Sequence, residues 1–161
     1  MAVKEVKLST IEEVLTTLTT AEFNDALKRN RSAFLFRGLP NVSYKLTTSL
    51  RWNCKGKAGE LEPSILRNFS KYAASTSPLN SCWEQMVIGQ HHGLPTRLMD
   101  WTYSPLAALH FATSREDITG MNQHDAVVWA IDITEMNTLL PAKYQKVLND
   151  ERAYLFTIDM L

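Results

Sequence analysis

The chain has little cysteine, no long apolar run, no excess of either charge and none of the glycine-rich phosphate loops. Its two cysteines, Cys54 and Cys82, form no C-x-x-C pair, and no Cys/His cluster has zinc spacing. This excludes a disulfide framework and a structural zinc site, and it predicts free thiols in a reducing, cytoplasmic compartment. The apolar runs fall well short of the ~18 residues that a membrane span needs, and residues 1–7 lack an apolar signal core. Seventeen basic residues balance seventeen acidic ones, so there is no overall basic field to capture nucleic acid. Arg51, Lys55 and Lys57 form a local basic cluster, which reads first as a solvated loop. There is no Walker loop, no G-x-G-x-x-G and no G-x-S-x-G around Ser104. Classical nucleotide folds and a nucleophile elbow are thereby disfavoured. No internal repeat or low-complexity segment is visible.

What is there suffices for a core. The chain has 161 residues and is 45% hydrophobic, the size of one domain. Ser9 and Glu12 have capping-box spacing before an amphipathic run, and Ser81 and Glu84 repeat the pattern. Ser104-Pro105 sets an N-cap before a proline at the first helical position. These signals predict helices near 10–18, 21–29, 60–74, 82–92 and 105–114, with Pro63 in a first turn and Gly93 and Pro95 after the fourth helix. Strands are expected near 33–37, closed by Gly38 and Pro40, and near 126–132. The fold class is therefore α+β with a small mixed sheet. Residues 1–32 read as an N-terminal helical segment and 33–161 as the main domain. The apolar final run, 153–161, carries the expectation that more chain once followed it.

Chemistry concentrates in Gln90–Thr102, which mixes His91, His92, Thr96, Arg97, Asp100 and Trp101 with Leu and Met between two helices. Buried there, Arg97 and Asp100 need partners. They read either as a structural ion pair or as part of a pocket-lining loop. His91 and His92 are adjacent, so on a helix they diverge by about 100° and cannot chelate one metal as an i, i+4 pair does. No metal is expected. Either imidazole suits a general base or a hydrogen-bonded, partly buried role. Arg37 ends an apolar strand. Its guanidinium matches a phosphate or carboxylate with two parallel hydrogen bonds.

Phe36-Arg37-Gly38 resembles the motif that names the FRG domain. Gln90–Ala112, from Gln-His-His-Gly-Leu-Pro-Thr-Arg-Leu-Met-Asp-Trp-Thr to Leu-His-Phe-Ala, resembles that family's long signature almost throughout. His92, Met99 and His110 depart from it: the family usually has an aromatic, a Leu and often a Tyr or Phe there. Leu50-Arg51 and Glu60 match lesser features, and the resemblance covers roughly residues 33–132. A weaker likeness, an early strand Arg-Gly followed by a Ser-led helix, is similar to the layout of ADP-ribosyltransferases. That likeness implies NAD as substrate, with Arg37 and Gly38 on the dinucleotide and Ser104, or less well Thr102, on the nicotinamide-ribose side. It assigns no catalytic carboxylate: Glu135 and Glu151 lie downstream, neither in a matching motif.

Three readings follow. One is a nucleotide-binding, ADP-ribosyltransferase-like domain. A second is a non-catalytic binding module of a bacterial stress or phage-defence system. A third is a hydrolase pairing His91 or His92 with Asp100.

Overall fold

The computed structural model describes residues 3–20, 23–25, 29–30, 33–73, 81–114 and 123–160. It is an α+β fold. The elements run α1 (Ile11–Thr19), β1 (Phe23–Asn24), β2 (Arg29–Asn30), β3 (Phe34–Leu39), α2 (Ser49–Cys54), a 3-10 turn (Lys55–Lys57), α3 (Ala58–Ala73), α4 (Cys82–His91), α5 (Pro105–Thr113), β4 (Val127–Asp132), α6 (Ile133–Thr138), α7 (Ala142–Asp150) and a last 3-10 turn (Ile158–Met160). They divide into two compact units, 1–43 with 101–136 and 44–100 with 137–161.

In the first unit β3 and β4 pair antiparallel, with Phe34 opposite Asp132, Arg37 opposite Trp129 and Leu39 opposite Val127. Helix α5 packs on β3. The inward residues of α5 are its smallest, Ala108 and Ala112, while Leu106 and Phe111 face solvent. Strand β3 outruns its expected end: Gly38 stays extended inside it and pairs with Val128. The reason is steric. A Cβ on Gly38 would lie 1.8 Å from the Ala108 carbonyl oxygen and 2.7 Å from the Ala112 nitrogen. The glycine is there for the close approach of a helix, not for a turn. Strand β4 ends where Asp132 Oδ1 accepts from the N–H groups of Thr134 (2.7 Å) and Glu135 (3.3 Å), which starts α6.

Two expectations at the N-terminus are corrected. The helix near 21–29 is absent from the described residues: Phe23 pairs with Asn30 and Asn24 with Arg29 as a short antiparallel hairpin, and 26–28 lie outside the described residues. Asn24-Asp25 is turn chemistry, which outweighs a weak apolar period. The capping box of α1 is Thr10 with Glu13, one residue later than Ser9 with Glu12. Backbone N–H groups of Ser9 and Thr10 bond the Glu13 carboxylate, holding its pKa below the ordinary carboxylate value.

The second unit holds α2, α3, α4 and α7. Pro63 falls in the second turn of α3, because the helix begins earlier than expected, directly from the preceding 3-10 turn. Ser81 caps α4, its Oγ accepting from the Glu84 N–H at 3.1 Å. Residues 74–80, between α3 and the start of α4, lie outside the described residues. No helix among the described residues is long and apolar enough to cross a membrane.

Candidate functional site

The first unit assembles the residues nominated around Arg37. Phe36 is buried, and its backbone is held by Thr102: the Phe36 N–H donates to the Thr102 carbonyl (2.7 Å), and the Thr102 N–H donates back (2.9 Å). Thr102 thus extends the pairing on the edge of β3 away from β4. Gly38, on the other side of Arg37, is pinned beneath α5. Arg37 itself lies mid-strand and half-buried, rather than at the rim of the sheet. It shares a face with Trp129, since residues directly opposed across an antiparallel pair point the same way with Cβ atoms about 4.5–5.5 Å apart. The Trp129 Nε1–H is buried and meets no acceptor among the described residues.

Thr102 and Ser104 both serve the chain locally. Thr102 Oγ1 accepts from the Ser104 N–H (3.0 Å), and Ser104 Oγ accepts from the Ala107 N–H (3.2 Å) as the N-cap of α5. Each hydroxyl retains a proton to donate. Trp101 leads into this corner and is half-buried. Structure therefore brings Arg37, Gly38, Thr102 and Ser104 around one corner of β3 and α5.

The second unit uses Gln90, Thr96, Arg97 and Asp100 to fold the connector. Helix α4 closes with the His92 cap and Gly93 at φ 82°. The Leu94 N–H reaches the Gly89 carbonyl (2.8 Å) and the Gly93 N–H the Gln90 carbonyl (3.0 Å), a Schellman motif. Leu94 then packs where a Gly89 side chain would sit. Beyond it, Thr96 is 1% exposed. Its hydroxyl donates to Gln90 Oε1 (2.6 Å) and accepts from the Leu98 N–H (3.2 Å), while Gln90 Nε2 donates to Asp100 at 2.5 Å. The Thr96 N–H donates to Ser49 Oγ (3.1 Å), and its carbonyl accepts from the Leu50 N–H (3.1 Å), which ties α2 to the connector.

Arg97 and Asp100 do not pair with each other in this network. Arg97 makes a two-point ion pair with Glu62: Nε donates to Oε1 at 2.6 Å and Nη2 to Oε2. Asp100 is held by Gln90. His91 ends α4 and stands edge-on to His92 at 5.6 Å, and His92 lies 6.5 Å from Phe69; both imidazoles are exposed. Sequence reasoning missed three participants. Glu62 and Ser49 lie 35 and 47 residues from their partners, with no local signal. Trp129 becomes a neighbour of Arg37 only through the strand register.

No curated protein and no solved structure matches the chain. A family model for the FRG domain matches residues 32–120, more than half of the sequence, and spans β3, the connector and α5. The chain belongs to the FRG domain family.

Proposed function

We propose that this FRG domain binds a nucleotide, with NAD the first candidate, and that Arg37 holds its phosphates. One observation carries the reading: the two residues flanking Arg37 are each fixed by a separate device. Phe36 is bonded to Thr102 along its edge, and Gly38 is locked under Ala108 and Ala112. A frame this rigid around a half-buried cation is what preorganised anion recognition needs. A planar guanidinium then offers two parallel donors to a phosphate. The Thr102 and Ser104 hydroxyl protons fit ribose oxygens.

The same geometry favours binding without glycosyl transfer. Gln90, Thr96, Arg97 and Asp100 are absorbed in connector bonds, and no carboxylate is assigned to drive a displacement. A non-catalytic sensor module, as in a stress or phage-defence system, is the functional class that this supports. A thermal-shift screen with NAD, ADP-ribose and ADP tests it. Ligand at a hundred times Kd adds about 2.7 kcal/mol, which for this chain length is several degrees of melting temperature. Flat melting curves with all three at millimolar concentration contradict the proposal.

A further inference from the structure

We infer that a second surface, on the 44–57 segment of the second unit, binds single-stranded nucleic acid. From Tyr44 to Gly59 the chain carries Lys45, Arg51, Lys55 and Lys57 and no carboxylate; the first acid is Glu60. All four cations are exposed. Two exposed aromatics accompany them, Tyr44 at 52% just before Lys45 and Trp52 at 71% between Arg51 and Lys55. The exposure of Trp52 is not that of a loose end. Its N–H is bonded to the Thr48 carbonyl (3.0 Å), and the same helix is anchored by buried Leu50 and by the Thr96 bonds. An anchored helix thus presents its largest apolar side chain to water, next to the exposed Arg51.

Lys55 adds a second mark. Its φ of 50° places a non-glycine residue in the left-handed region, at the junction of α2 and the 3-10 turn. Strain of this kind clusters at functional positions, and here it sets Lys55 and Lys57 on a short exposed turn directly after Trp52. Cations that follow a phosphate backbone, interleaved with aromatic faces for bases to stack on, suit a flexible strand with unstacked bases. A duplex keeps its bases stacked and offers Trp52 no partner. The zero net charge of the chain makes the interaction local rather than a general affinity for polyanions.

Fluorescence anisotropy of labelled oligo-dT, titrated with the whole chain at several salt concentrations, tests this. Four phosphate contacts predict a log K against log salt slope of about −3, and the double variant Lys55→Gln, Lys57→Gln about half of that. Trp52→Ala should weaken binding about tenfold and remove most of the tryptophan quenching. Circular dichroism melts equal to the parent's show that these exposed substitutions leave the fold intact. Arg37→Lys should bind oligo-dT as the parent does, which keeps this test separate from the nucleotide reading. The inference fails if oligo-dT does not bind at low salt. It also fails if Trp52→Ala binds it unchanged, or if heparin or duplex DNA binds as tightly as oligo-dT.

Discussion

Gly38 occupies a position with no room for a methyl group. The obstructing atoms are backbone, the Ala108 carbonyl and the Ala112 nitrogen, so no rotamer change relieves the clash and α5 must lift. Gly38→Ala should therefore cost at least the ~1–3 kcal/mol of ordinary overpacking, read as a fall in the urea midpoint. An unchanged midpoint would show that β3 and α5 are further apart than described. Arg97 and Glu62 make the second residue-scale case. Glu62 is buried, with its side chain 6% exposed, whereas that of Arg97 is 61% exposed, so solvent weakens the pair from one side. Removing Arg97 leaves a buried carboxylate without its main donor. Arg97→Ala should cost about 1–3 kcal/mol, and a double-mutant cycle with Glu62→Ala should return clear coupling. Additive losses would mean that the two-point pair contributes nothing to stability.

Ser81 sets the start of α4, and that helix delivers Gln90 to the connector. Ser81→Ala should lower stability by about 0.5–2 kcal/mol, in the range for a lost N-cap, and leave nucleotide affinity unchanged; equal melts would place the helix start elsewhere. This cap was legible in the sequence, as were Ser104 before Pro105 and Gly93 after α4, because each depends on neighbours within a few residues. The Thr10 box was misplaced by one residue because Ser9 and Thr10 both cap well and Glu12 and Glu13 both follow. Helix α2 was not legible. It is only six residues long, and its anchor is Thr96, 47 residues away from Ser49. Nor were α6 and α7 anticipated, although Asp132-x-x-Glu135 carries capping-box spacing that could have marked α6. Ala108 and Ala112, rather than the larger Leu106 and Phe111, face inward because closeness to Gly38 selects small residues over large ones.

At the scale of the molecule, the FRG signature splits by role. Phe36, Gly38, Thr102 and Ser104 build a corner of the first unit, and Gln90, Thr96, Arg97 and Asp100 lock a connector in the second. Most of the motif residues thereby have structural work, which explains why a strong sequence signature said so little about a reaction. Arg37 is the charged residue that this framework holds half-buried between two fixed neighbours, Phe36 and Gly38. Isothermal calorimetry of NAD with the parent and with Arg37→Lys is the direct test, run beside thermal melts of both proteins. The account predicts equal melting temperatures and a loss of about 1.5–3 kcal/mol in NAD binding, because an ammonium keeps the charge and loses the two-point contact. A Lys variant that melts early and binds NAD as well as the parent, or a parent that binds no nucleotide at all, would contradict it.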